Sequence, residues 1–298
     1  MNVFVTGASG LIGKALSERL RAEGHTVTAM VRGEPQPGEV RWTPGKTLDA
    51  SVFANADAVV TLAGKNVATR WSPKAKKEIS DSRVEGTKTI SDAVAASFRR
   101  AGKPGVLISA SAIGYYGIRG DEILTEDSAP GTGFLKEICV AWEAAAQSAR
   151  DAGVRVVHPR IGVVLSKDGG ALAKMLPIFK LGGGGKLGDG KQWWSWIAID
   201  DVVGAILFAL TNSKVAGPVN LTAPNPVTNA EFTKVLGKVM HRPTAVAVPA
   251  AALRIAMGSE TAAETALASV RVVPNRLLEY GYEFRHADLR EALQNVLN

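Results

Sequence analysis

The 298-residue sequence predicts a doubly wound α/β fold: a parallel sheet with helices on both faces, joined to a smaller C-terminal α/β lobe. Two observations carry this. Short apolar runs alternate with helical periodicity through the first half, the pattern of successive strand–helix–strand units. The first run ends in Thr6-Gly7-Ala8-Ser9-Gly10-Leu11-Ile12-Gly13, three glycines at three-residue spacing between a strand and a helix.

Taken in order, Val3–Thr6, Thr26–Val31, Ala58–Leu62, Val106–Ser109 and Val154–Pro159 read as strands. Leu11–Ala22, Arg83–Arg100 and Leu135–Asp151 carry apolar residues at a spacing near 3.6 and read as helices. Past Arg160 the texture changes. Residues 182–190 read GGGGKLGDG, a loop with almost no side chains, and an apolar helix follows from Asp200 or Asp201 to Leu210, with Asp as its N-cap. Prolines 224, 226, 243, 249 and 274 punctuate the remainder. The expected division is a nucleotide-binding domain over 1–165, to which 196–217 returns, and a smaller, discontinuous substrate lobe within 166–298. Of the tryptophans, Trp196 is expected in the core, before Ile197 and Ile199. Trp193 or Trp194 is the better candidate to clamp a ligand.

Composition narrows the class. Apolar residues make up 46% and charged residues 21%, as in ordinary globular chains, and no apolar stretch is long enough to span a bilayer. The segment Asn2–Gly7 reads as strand and turn rather than as a signal peptide. The single cysteine, Cys139, excludes an internal disulfide and fits a reducing, cytoplasmic setting. A net charge of +7 raises nucleic acid as a partner. The basic residues are scattered on helix-like stretches, however, so neither nucleic acid nor membrane is expected. No metal site is expected.

The glycine loop points to a dinucleotide. Gly7 makes the tight turn, Gly10 lets backbone approach a pyrophosphate, and Gly13 lets the helix pack on the sheet. Ala8, Ser9, Leu11 and Ile12 complete the cradle, where free helix N–H groups and the positive dipole end meet the phosphates. An acid closing the second strand would hold the ribose of NAD. Here that strand closes with Arg32, which predicts NADP(H). The small turn Leu62-Ala63-Gly64 lets backbone lie against the adenosine side. Arg83 either reaches a ribose or phosphate or is a solvated helix arginine. Ser109 and Pro159, which close two of the strands, join the cofactor-binding set.

Together these residues resemble the extended short-chain dehydrogenase/reductases, and within them an epimerase-like branch. The resemblance runs through TGASGLIG at 6–13, LAGKNV at 62–67, RWSPKAKKEISDSRVEGT at 70–87, SASAIGYYG at 109–117 and PRIGVVLSKDGGAL at 159–172. It continues through GDGKQWWSWIAIDD at 188–201 to VVPNRLLEYGYEF at 272–284. It implies a Rossmann domain with a small substrate lobe, and NADP contacts at Arg32, Leu62, Ala63, Glu78 and Arg83. It also allows a homodimer built on helices 83–100 and 135–151, whose apolar faces equally suit covering the sheet.

In that superfamily a Tyr, a Lys four residues later and a Ser perform proton transfer beside the nicotinamide. Ser111 matches the Ser, as a substrate-binding hydroxyl or as one satisfied by backbone. The helix that carries the pair elsewhere reads Phe134-Leu135-Lys136-Glu137-Ile138-Cys139-Val140-Ala141-Trp142-Glu143. Counted back from Glu143, Leu135 and Cys139 stand at the Tyr and Lys positions. The substitute proton donors are Tyr115 and Tyr116, with Tyr115 also readable as a stacking or packing aromatic. Two functions therefore stand: an NADP(H)-dependent oxidoreductase or epimerase-like enzyme with an atypical proton donor, acting on a small molecule such as a sugar nucleotide, or a non-catalytic NADP(H)-binding sensor or interaction protein.

Overall fold

The computed structural model describes residues 1–298, and its main sheet is assembled from eight strands. These are β1 (Asn2–Thr6), β2 (Thr26–Val31), β3 (Val40–Arg41), β4 (Ala58–Thr61), β5 (Val106–Ser109), β6 (Ser111–Ala112), β7 (Arg155–Ile161) and β8 (Gly217–Leu221). Their spatial order is β8-β7-β5-β4-β1-β2-β3, and β6 pairs with β7 beyond the end of β5. Every pairing is parallel.

Period-2 alternation assigns the two faces. Val3 and Val5, Ala58 and Val60, and Val106 and Ile108 point into one core, closed by Leu16 and Leu20 of α1 (Leu11–Ala22) and by Val202, Val203 and Ile206 of a later helix. Their neighbours Phe4, Val59 and Leu107 point the other way, against Ile90 and Val94 of α2 (Pro73–Ala101) and Ala149. Helix α2 starts ten residues before the expected Arg83. Ser72 Oγ accepts from Ala75 N at 3.1 Å, Pro73 fills the first turn, and Gly102 at φ +67° ends the helix. The expected helix 135–151 is two: α3 (Phe134–Ala144) and α4 (Gln147–Asp151).

Beyond the sheet, α5 (Gly170–Lys180) and α6 (Ile199–Thr211) follow, then α7 (Asn229–Met240), α8 (Ala250–Met257) and α9 (Ser259–Glu264). Helix α6 covers the main sheet, as its core residues above show. Neither aspartate caps it: Ala198 holds the N-cap position, and Asp200 and Asp201 lie in the first turn. The Asp201 carboxylate is fully buried and accepts instead from Tyr282 Oη, Arg285 N and His286 N. A separate cluster joins α5, α7 and the final helix Leu289–Leu297 around Trp194, Trp196 and Phe232.

The chain runs outward from β1 to β2 on one side, while β4 flanks β1 on the other. The crevice at the carboxyl ends of β1 and β4 is thus a topological switch point, where open α/β sheets take their ligands.

Candidate functional site

At the end of β1, Gly7 adopts φ +72° and its Cα faces the loop after β4; a Cβ there would stand 2.8 Å from Ala63 N. Thr6 Oγ1 accepts from Leu62 N and Ala63 N at 3.2 and 3.3 Å, tying Leu62-Ala63-Gly64 to the same crevice. Gly13 packs so closely that a Cβ would lie 2.1 Å from Gly7 O. Helix α1 then begins with no side-chain cap and no acidic residue in its first turn. Its leading N–H groups are left to an anion. Ser9 and Gly10 are exposed, Ala8, Leu11 and Ile12 half-buried, so the cradle is open on its phosphate side.

Two cations stand at this crevice without carboxylate partners. Arg83 reaches from α2 beneath Gly64, whose Cβ would meet its guanidinium at 3.0 Å. It donates to Lys65 O at 2.8 Å and lies 5.1 Å from the Trp142 ring centroid. Burial pulls its pKa down, the mark of a cation short of counter-charge. Arg32 is exposed at the end of β2, and the nearest acid in sequence, Glu34, is engaged by Arg41 at 2.9 Å. Glu78 pairs with Lys65, and Lys65 N–H donates to Ser82 Oγ, so Glu78 steadies the loop after Gly64. The hydroxyls of Thr61 and Ser109, paired across β4 and β5, are buried and have no partner in the protein.

The residues at the other end form a buried polar network. Arg160, 3% exposed, makes a two-pronged pair with Glu143, Nε to Oε1 at 2.8 Å and Nη2 to Oε2 at 2.9 Å. Ser111 Oγ donates to Glu143 Oε1 at 2.7 Å. Arg160 Nη1 donates to Tyr116 Oη at 3.0 Å, and that hydroxyl donates to Asn220 Oδ1 at 2.7 Å. Burial raises the Glu143 carboxyl, but the hydrogen bonds and charge of Arg160 and the bond from Ser111 outweigh it and hold it below the ordinary value. Beside it Glu126 Oε1 accepts from Asn220 N, while its Oε2 is unpartnered and burial pushes the carboxyl up.

This geometry bears on three expected site residues. Tyr116 has no exposed surface, its hydroxyl is engaged by Arg160 and Asn220, and burial pushes its phenol up to about 12. Ser111 is nearly closed off, with its proton committed to Glu143. Pro159, expected to close its strand, lies buried inside β7, which runs on to Ile161. Pairing of β7 with β5 stops at Val157 and with β6 begins at Arg160, so a residue without N–H fits that gap.

Tyr115 remains. It is half-buried, and the Arg160 guanidinium lies 3.4 Å from its ring centroid. Leu135 and Cys139 face the same loop, where a Cβ on Gly114 would meet them at 3.0 and 3.7 Å. Burial pushes the Cys139 thiol up to about 11, so α3 offers this end a methyl surface and a neutral thiol. Trp194 is buried against Phe232, whereas Trp193 is half-buried. Trp193 donates to Asp121 Oδ1 at 2.9 Å, and Arg271 stacks 4.0 Å over its ring. Arg271 Nε is buried without a partner. Sequence reading missed Arg271, Asn220 and Glu126 because strand pairing brings in the first two from afar and Glu126 joins them from a turn, through its bond from Asn220 N.

With this geometry in place, likeness to known proteins is informative. Residues 248–296 match a domain of unknown function, DUF1731. The chain is 45% identical over 294 residues to the epimerase family protein Mb2239 of Mycobacterium bovis, covering 98% of this chain and 96% of that one. It is 42% identical to the chloroplastic SDR39U1 homolog of Arabidopsis thaliana, covering 100% of this chain and 87% of that one. Among solved structures, human epimerase family protein SDR39U1 (isoform 2), crystallised with NADPH, superposes with a TM-score of 0.90 at 33% identity, over 99% of each chain. No helix is long and apolar enough to cross a membrane. Residues 3–222 match the NAD dependent epimerase/dehydratase family, and the chain belongs to that family, with the extended short-chain dehydrogenase/reductase fold.

Proposed function

We propose that the protein binds NADP(H) in the β1–β4 crevice and acts as an oxidoreductase or epimerase-like enzyme on a small anionic substrate, the sugar-nucleotide class first. The observation that carries the reading is Arg83: a largely desolvated guanidinium with no carboxylate, set beneath Gly64 beside the uncapped start of α1. Buried cations are retained where an anion completes them. Arg32, free of acids, supports a 2′-phosphate and hence NADP(H) over NAD(H). The NADPH in the human relative's crystal structure is consistent with this choice. The stacked Trp193–Arg271 pair, with the Arg271 Nε unpartnered, suits a planar or sugar-bearing group that ends in an oxyanion.

Tyr115 is the phenol we assign to move a proton, a choice supported by the burial of Tyr116 and by the packing of Tyr280 and Tyr282 on the main core. Leu135 and Cys139 favour a second reading, an NADP(H)-binding sensor without turnover. Titration with NADPH and NADH, followed by tryptophan quenching, tests the first step: NADPH should bind far more tightly. Arg32→Asp should collapse that preference by about 10- to 100-fold, the worth of charge-assisted contacts. An unchanged ratio would remove Arg32 from the site. Sugar-nucleotide turnover lost in Tyr115→Phe separates enzyme from sensor.

A further inference from the structure

One short segment of the C-terminal lobe, Gly258–Glu264, touches two separate parts of the nucleotide-binding half, the loop at 69–71 with the start of α2 and the first turn of α3. Its start meets the loop that continues from Leu62-Ala63-Gly64. Trp71 N donates to Thr261 Oγ1 at 3.2 Å, that hydroxyl donates to Thr69 O at 3.3 Å, and Gly258 packs against Arg70. Lys76 Nζ pairs with Glu260 Oε1 at 2.6 Å and also lies 4.8 Å from the Phe134 ring centroid. Trp71 and Phe134 meet edge to face at 4.9 Å. The end of the segment meets α3. Glu264 accepts from Phe134 N and Leu135 N, both at 2.9 Å.

Helix α3 depends on this contact. Its own N-cap residue is Gly133, which has no side chain to offer and sits at φ +106°. A Cβ there would collide with the Glu264 carboxylate at 2.9 Å. The first turn of the helix that walls the nicotinamide end is therefore capped by a residue some 130 positions away. Parting the segment from the crevice would uncap α3, break the Lys76–Glu260 pair and free the loop at 69–71 in one movement.

The structure assigns Gly258–Glu264 the role of a clasp that governs NADP(H) entry and release; this rests on the cofactor reading above. The clasp is closed in this structure, where it ties the loop that follows Leu62-Ala63-Gly64 to the first turn of α3, and its opening sets the rate at which the nicotinamide end is exchanged. A gate of this kind has a kinetic signature: loosening it raises association and dissociation rates together and leaves Kd nearly unchanged.

Stopped-flow measurement of NADPH association and chase-out, by energy transfer from tryptophan, tests this. Lys76→Gln and Glu260→Gln should each raise both rates about two- to fivefold, the scale of a half-exposed pair. Glu264→Ala should raise them about five- to tenfold, the scale of a lost cap. Added salt should speed exchange in the unaltered protein and not in Glu260→Gln. NADPH bound with rates unmoved in all three variants would overturn the clasp and leave the cofactor reading standing. Faster release without faster association would make these residues simple binding contacts and would also overturn it. No NADPH binding by the unaltered protein would overturn the cofactor reading itself.

Discussion

Replacing Glu143 by Ala is the most informative single perturbation of the buried network. Arg160 is 3% exposed and Glu143 side-chain exposure is 14%, so the pair is shielded from water on nearly every side. Without Glu143 the guanidinium loses both prongs of its partner, and Ser111 loses its acceptor. Removing one member of a buried pair costs about 3–5 kcal/mol, because the remaining charge stays desolvated. For a chain of this size that is roughly a 6–12 °C fall in Tm. The double replacement Glu143→Leu with Arg160→Met should recover much of the loss, since the pair's worth lies in mutual compensation. Differential scanning calorimetry at pH 7 measures both. A fall under about 2 °C in Glu143→Ala would refute the reasoning, by showing that water or a shifted Arg160 satisfies the charge. The pH dependence has a definite sign. Glu143 is held below its ordinary 4.5, so its contribution is present at neutral pH and lost as the pH falls below that value. Glu143→Gln should lack that part of the acid sensitivity.

Two further predictions follow from neighbouring groups. His158 is 1% exposed, and burial lowers its pKa from 6.5 to about 4, so folding opposes its protonation and stability falls on acidification from pH 6.5 to 4. That shift corresponds to about 3 kcal/mol, and urea titrations of His158→Gln should show a flatter profile across the same window. Tyr116→Phe leaves Asn220 Oδ1 without its donor and should cost about 1–2 kcal/mol while sparing NADPH affinity; loss of turnover would return Tyr116 to the reaction.

What the sequence made legible was what local spacing controls. The bounds of α1 and β2 follow directly from apolar period and the glycine turn. The early start of α2 was written in Ser72-Pro73, but Lys and Glu across 74–78 hid the apolar stripe. The site divides the same way. The glycine cradle, Arg32 and Leu62-Ala63-Gly64 lie at the carboxyl ends of β1, β2 and β4, whose position follows from strand order. The partners of Ser111 and Tyr116 were invisible, because Glu143, Arg160 and Asn220 meet only when β7, β8 and α3 pack. Asp201 misled for a related reason. An acid at a helix start reads as a cap, yet its carboxylate turns to the distant amides of Arg285 and His286.

The three glycines of the first loop are not equivalent, and the difference separates fold from cofactor. Gly7 and Gly13 are demanded by packing alone: added Cβ atoms would stand 2.8 Å from Ala63 N and 2.1 Å from Gly7 O, against backbone that cannot yield. Their presence therefore says that β1, α1 and the loop after β4 are close, and nothing about a ligand. Gly10 is different. Its φ of −75° and ψ of 170° suit any residue, and an added Cβ would come no closer than 3.2 Å to a neighbour, Gly7 O, which needs to give by only a few tenths of an ångström. The fold tolerates alanine there; a pyrophosphate lying on the α1 N-terminus does not. Gly10→Ala should keep the ligand-free Tm within about 2 °C and weaken NADPH about tenfold or more, whereas Gly13→Ala should fail to fold. The pair is read by thermal melts and fluorescence titration. NADPH bound undiminished by Gly10→Ala would move the pyrophosphate off the helix N-terminus and leave only Gly7 and Gly13 explained, by packing.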